Sequence, residues 1–299
     1  MSSFQLRPAE AEDAAGIAAL VAAMDVAVLG WTDFSVTELQ EEWRGIDQDD
    51  RVVVEDDGHL VGYGTIELNP LHGQADGYVH PGHFGRGVGS FLVTELERTL
   101  QGRGASRIQN ATLTADTRAH ELLRAHGYRE IRRFWQLRTE LETAPPAPQW
   151  PAGLTVTTFD PADSEAFHAA YESAFTDHWQ HQAQSFEKWR QEHIEREDFT
   201  PELWTVVRAE DEIVAGTICL PERNGAAWIG RLFTRGDWRR RGVGEALLKD
   251  AFGKFWRSGK RTVGLGVDAQ SDTGANRLYE RAGMHVHGGA VVFEKALDD

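Results

Sequence analysis

The sequence predicts a mixed α/β fold in which one arrangement of strands and helices occurs twice. Three observations carry this. Strand-type apolar runs alternate with helical apolar stripes along all 299 residues. Two glycine-rich turns share one pattern, FGRGVGSFL at Phe84–Leu92 and RRRGVGEAL at Arg239–Leu247. Gly242 follows Gly87 by 155 residues and Gly283 follows Gly127 by 156, so two stations keep nearly one offset. The domains implied are 1–142 and 154–299. Between them 143–153, TAPPAPQWPAG, is a stiff linker, because its prolines fix φ and remove donors.

In the first copy Phe4–Arg7 reads as a strand, Glu12–Leu29 as an alanine-rich helix and Thr37–Trp43 as a second helix. Strands Val52–Glu55 and Leu60–Glu67 flank Asp57-Gly58, a hairpin turn pair. A short strand ends at Val79, the glycine-rich turn follows, and a helix covers Ser90–Leu100. Strand Arg107–Thr112, helix Thr117–His126 and the run Tyr128–Leu141 complete the copy. The second copy repeats the order. Strand Leu154–Thr158 leads to helices Asp163–Phe175 and Phe186–Ile194. Strands Trp204–Arg208, Ile213–Leu220 and Ala226–Thr234 come next, with Glu210-Asp211 as the turn. Beyond the second glycine-rich turn Leu247, Leu248, Ala251, Phe252, Phe255 and Trp256 recur at helical spacing. Thr262–Val267 is a buried strand, and Thr273–Ala282 a helix closing at Gly283.

Composition narrows the function. The net charge of −16 argues against a nucleic-acid surface, which needs clustered cations. No apolar run approaches membrane-spanning length, so no membrane partner is expected and a cytoplasmic location is. The single cysteine, Cys219, excludes a disulfide within the chain and reads as a small core residue. His178 and His181 have i,i+3 spacing without an accompanying ligand set, so no metal is expected.

The second turn sits between a strand and the first turn of a helix. Backbone N–H groups there lack internal partners, and the helix dipole favours an anion. No GxxxxGK[ST] run exists, and Leu247 stands where a dinucleotide fingerprint needs its third glycine. What remains is [RQ]xxGx[GA], read as Arg239, Gly242 and Gly244. This resembles the coenzyme A loop of the GNAT N-acetyltransferases. About forty residues on, VDAQSDTGANRLYERAGM resembles that family's ending, in which a helix carrying Leu-Tyr leads into a final strand. The element order is similar too, so the chain is identified as a tandem member of the GNAT family. The resemblance implies two domains, each a splayed mixed sheet flanked by helices.

It also implies acetyl-CoA as cofactor and acetyl transfer to the primary amine of a small molecule. Cofactor contacts would fall on Leu232, Phe233 and Thr234, whose N–H groups face the splay, and on Arg239, Arg240, Arg241, Gly242, Val243, Gly244, Glu245 and Ala246, with Asn276. In the first copy they would fall on Val79, Gly85, Arg86, Gly87, Val88, Gly89 and Ser90. The copies differ in chemistry. Phe84 stands where the second copy has Arg239, and Leu123 where it has Tyr279, so the first copy reads as degenerate and the second as catalytic. Tyr279 is the general acid for the departing thiolate, a transfer expected to run downhill. Asp177 and His178, with His181 near them, are the candidate bases on the acceptor wall. Trp179, Trp189, Trp204, Trp228 and Phe175 divide between core and acceptor pocket. Tandem members that acetylate a cysteinyl amine on a sugar conjugate carry a glutamate early on the strand before the loop. Trp228 stands there, and Trp228–Thr234 holds no carboxylate. That acceptor, and a coenzyme A-binding protein without turnover, remain as alternatives.

Overall fold

A computed structural model describes residues 4–297 apart from 33, 224 and 272; the outermost residues of both expected domains lie outside this range. The chain forms two compact units, residues up to Phe134 with those from Gly288 onward, and Trp135–His287.

The first unit contains β1 (Gln5–Pro8), α1 (Ala14–Leu29), α2 (Val36–Trp43), β2 (Arg51–Asp56), β3 (His59–Leu68) and β4 (Gly73–Val79). There follow α3 (Val88–Gly102), β5 (Arg107–Leu113) and α4 (Thr117–Ala125). Strand β6 (Arg129–Glu140) starts in this unit and ends in the other. Local chemistry sets the boundaries. Gly30 stops α1 in the left-handed region at φ +83°, and the Ser35 side chain caps α2 by accepting from Glu38 N–H at 3.3 Å. Strands β1 to β4 pair antiparallel in sequence order, and β4 then runs parallel to β5.

The second unit contains β7 (Leu154–Thr158), α5 (Ser164–Phe175), α6 (Phe186–His193), β8 (Thr205–Ala209), β9 (Glu212–Arg223) and β10 (Ala226–Thr234). It continues with α7 (Val243–Arg257), β11 (Thr262–Asp268), α8 (Ala275–Arg281) and the start of β12 (His285–Ala296). Its sheet runs β6-β11-β10-β9-β8-β7. Phe167 and Trp189 on one side, and Leu247, Leu248, Ala251 and Phe255 on the other, bury the two faces. Cys219 is fully buried in β9, as expected of a small core residue. Among the described residues no helix is long and apolar enough to cross a membrane.

The compact units depart from the sequence copies in the last strand. Strand β12 pairs antiparallel with β5 of the first unit, Val292 opposite Ala111 and Phe293 opposite Asn110. Its Val291 and Phe293 join the first unit's core with Leu92, Leu96 and Ile108. Strand β6 lies beside β11: Leu141 N–H donates to Arg261 O at 2.7 Å, and Leu137 and Leu141 enter the second unit's core. Each copy therefore supplies the strand that completes the other's sheet. The Pro-rich segment 143–153 carries no helix or strand and follows β6 within the second unit.

Candidate active site

The second unit's site starts from a parting of two strands. β10 and β11 are in parallel register only over Ala227–Ile229 against Val263–Leu265. Beyond that β10 runs on to Thr234 and β11 to Asp268. A bulge marks the parting: Ile229 faces Cys219 and Arg231 faces Ile218, leaving Gly230 as the extra residue. The β11-facing edge of Gly230–Thr234 thus lies outside the ladder, where the sequence placed Leu232, Phe233 and Thr234.

At the end of β10 the chain enters the glycine-rich turn. Arg240 has φ +60° and Gly242 φ +87°. Gly242 begins α7 without any side-chain cap, and the first helical bond is Ala246 N–H to Gly242 O at 3.1 Å. The N–H groups of Val243, Gly244 and Glu245 precede that first bond, the arrangement an anion uses. Gly244 lies where β10 meets α8: a Cβ built there would sit 3.4 Å from Leu278 and 4.0 Å from Leu232. Arg240 and Arg241 are exposed, and the Arg241 guanidinium lies 4.7 Å over the Trp238 ring.

Arg239 does something other than offer a free cation. Its guanidinium donates to both Asp177 carboxylate oxygens at 2.5 and 3.0 Å, to Ala174 O at 2.7 Å and to Thr234 O at 3.2 Å. It clasps the turn to the C-terminal end of α5. The same pairing holds the Asp177 carboxyl below its ordinary value, through the hydrogen bonds from Arg239. Asp177 is therefore a poor proton acceptor at neutral pH. His178 is exposed with its ring 4.4 Å from Phe175. Desolvation lowers its pKa, with Asp177 opposing, so its imidazole is neutral near pH 7. His181 donates from Nε2 to the Glu172 carboxylate at 2.9 Å and faces that group instead.

Tyr279 is 7% exposed and belongs to the second unit's core. Burial alone pushes its phenol up to about 12. The downhill transfer expected from the sequence needs correcting, because an ordinary phenol is already a weaker acid than an ordinary thiol. Burial acts on thiols as well: Cys219 in the same unit is pushed up to about 12. A sulfur leaving in water-poor surroundings is a stronger base than one in water, which narrows the difference from Tyr279. Asn276, at the start of α8, donates from Nδ2 to Asp268 O and Ala269 O at 3.2 and 3.1 Å, while its buried Oδ1 has no partner among the described residues.

The first unit repeats the parting and fills it. β4 and β5 are in register only at Gly73 and Gln74 against Ile108 and Gln109. Beyond that Asn110 Nδ2 donates to Ala75 O at 2.5 Å, and the Ala111 N–H donates to the Asp76 carboxylate. Carried over at the offset of 155 that brings β5 onto β11, Asn110 corresponds to Leu265 and Asp76 to Arg231. The second unit has an apolar side chain at the first place and the opposite charge at the second. This difference escaped sequence reasoning, although lining up the copies residue by residue reveals it. Gly87 starts α3 at φ +91°, with Val79, Gly85, Arg86, Val88 and Ser90 around the same turn. A Cβ on Gly89 would meet Leu122 at 2.9 Å, so packing against α4 accounts for that glycine. Arg118 lies 4.0 Å over the Phe84 ring, and Leu123 is buried core.

The sequence pattern of the acetyltransferase (GNAT) family matches residues 20–128 and again 164–284. The chain belongs to that family. It is a tandem GNAT-type N-acetyltransferase. A mycothiol acetyltransferase of Thermobispora bispora is 29% identical over 252 residues, 77% of this chain and 78% of that protein. One from Streptomyces coelicolor is 27% identical, covering 78% and 75%. Among solved structures, a GCN5-related N-acetyltransferase from Sphaerobacter thermophilus superposes with a TM-score of 0.83 at 36% identity, covering 98% of this chain and 95% of that one. A tandem GNAT protein from the clavulanic acid biosynthesis pathway shares the fold at a TM-score of 0.77 and 14% identity, over 99% and 100% of the chains.

Proposed function

We propose that the second copy transfers the acetyl group of acetyl-CoA to the primary amine of a small molecule. The observation that carries this is the parting of β10 from β11, beside a helix start without a side-chain cap. In the first copy the corresponding gap is bridged by Asp76 and Asn110. Acetyl-CoA fits the residues present: the N–H groups at Val243–Glu245 suit a diphosphate, the small Gly244 lets it approach, and Arg240 and Arg241 add positive charge nearby. When bound, it supplies an acyl group activated as a thioester.

The chain's own residues supply the rest. The amine must lose a proton as its nitrogen bonds to the acyl carbon, and the sulfur must gain one as the carbon–sulfur bond breaks. His178, neutral at pH 7, takes the first; Tyr279 donates the second. Asp177 serves by holding Arg239 and hence the turn. The edge of β10 after Gly230, outside the β11 ladder, would supply backbone N–H donors to an acyl oxygen that gains negative charge. A second reading, that the acceptor is the one used by the mycothiol acetyltransferases, is favoured by their similarity over three quarters of the chain. The lack of a carboxylate on Trp228–Thr234 weighs against it. Incubating the enzyme with acetyl-CoA and a panel of amines, the mycothiol precursor included, and detecting acetylated products by mass spectrometry tests both readings. An N-acetylated product from any amine supports the first, and product from the precursor alone selects the second. Absence of product from every amine overturns both.

A further inference from the structure

Arg231 stands in the middle of β10, directly after the bulge residue Gly230, and it is exposed. It shares a strand face with Phe233, whose ring lies 6.0 Å from that of Tyr171 on α5. The guanidinium is held in place by neutral groups: Nε donates to the Tyr171 hydroxyl at 3.2 Å and Nη1 to Gly230 O at 2.8 Å. Among the described residues no carboxylate lies within ion-pair distance of it. Its neighbours in sequence Arg235 and Arg239, by contrast, each pair with an acid, Glu212 and Asp177. The chain carries 47 acidic against 31 basic side chains, so a positioned arginine without an acidic partner is not for want of acids.

We infer that Arg231 recognises a carboxylate carried by the acceptor close to its amine, so that the acceptor class is amino acids and their relatives. This rests on the second copy being the acetyl-transfer site. A planar guanidinium offers paired N–H donors to a carboxylate, and Nη2 makes no hydrogen bond among the described residues. Tyr171, which accepts from Nε, keeps its own hydroxyl proton for the same guest. The positive charge lies at the bulge, where the strands part and the amine must approach. It is felt across the wall of that space: after burial, Arg231 is the largest cause of the lowered pKa of His193, which goes down to about 4. The first copy, whose gap is bridged, carries the opposite charge at the corresponding place, Asp76.

The test measures kcat/KM for amino acids and for their primary amides with wild type, Arg231→Gln and Arg231→Lys. Amides have less basic amines than the parent acids, so the useful quantity is the acid-to-amide ratio in each variant divided by that of wild type. Arg231→Gln should lower this ratio about 10–100-fold, chiefly through KM, and Arg231→Lys should recover part of it. Since Arg231 is exposed, both variants should keep the wild-type melting temperature. Equal ratios in wild type and Arg231→Gln, with products still formed, overturn the inference and leave the acetyl-transfer reading standing. No acetylation of any acid or amide by wild type overturns the inference, and the acetyl-transfer reading falls with it only if the wider amine panel gives no product either.

Discussion

Tyr279→Phe removes one oxygen from a ring that is 7% exposed and keeps the ring's packing. With the phenol at about 12 and a thiol in water near 8.5, proton transfer to a solvated thiolate would run uphill by roughly 3.5 pKa units, or about 4.8 kcal/mol. Burial moves a thiol in the same direction, as at Cys219, so a sulfur leaving in water-poor surroundings narrows the gap. A matched acid is worth a factor of ~10²–10⁴ in rate, and the lower end corresponds to about 2.7 kcal/mol. Tyr279→Phe should therefore lower kcat about 10²-fold while acetyl-CoA affinity, and stability to within about 1 kcal/mol, stay put. The assay is kcat at saturating acetyl-CoA and amine, with rapid-quench data showing that chemistry limits turnover. A kcat equal to wild type would refute the reasoning and leave water as the proton donor. Leu123→Tyr in the first copy should create no activity there, since its gap is bridged and Phe84 occupies the place of Arg239.

Gly244→Val should abolish acetyl-CoA binding measured by calorimetry, whereas Gly244→Ala, whose Cβ has ordinary contact with Leu278, should fold normally and bind more weakly; equal affinity in all three proteins would move the site elsewhere. Asp177→Asn and Arg239→Ala should each weaken acetyl-CoA binding through a looser turn, and the double variant should lose less than the two together, because half-exposed Asp177 and Arg239 act as one pair coupled by about 0.5–1 kcal/mol. Additive losses would show that the two act separately. His193 binds no proton in the folded chain until pH falls to about 4, whereas the unfolded chain takes one near 6.5. Stability should thus decline as pH drops from 6.5 towards 4, by at most about 3 kcal/mol, and level off below. Urea unfolding of wild type and His193→Gln at several pH values checks this: parallel stability curves would remove His193 as the cause.

The local elements were legible because each rests on near-neighbour chemistry. The stripe Leu247, Leu248, Ala251, Phe252, Phe255 forms α7, β10 has the bounds its apolar run implied, and Gly242 takes the left-handed φ that only glycine adopts easily. Helix α3 begins at Val88 rather than Ser90, because Gly87 takes the corresponding role. What stayed hidden is pairing between distant residues. Nothing in the text around Arg239 announces Asp177, which lies 62 residues earlier. Alternation in β6 and β12 declares a buried face but not which sheet will receive it. The bridge across the first copy's gap depends on Asn110 reaching Ala75 on another strand, a matter of register and not of composition.

The exchange of β6 and β12 has a consequence for biosynthesis. Arg107 waits for Ala296, its register partner 189 residues further along the chain. As the polypeptide leaves the ribosome, the first half emerges with β5 unpaired on one side and stays so until almost everything else has been made. A nascent edge of that kind invites pairing with other chains, so the long interval is when this protein is most exposed to aggregation. It also means that cutting the gene at the proline-rich segment yields two fragments, each bearing a strand that belongs in the other. Co-expressed, such fragments should find one another and assemble; alone, neither has a complete sheet.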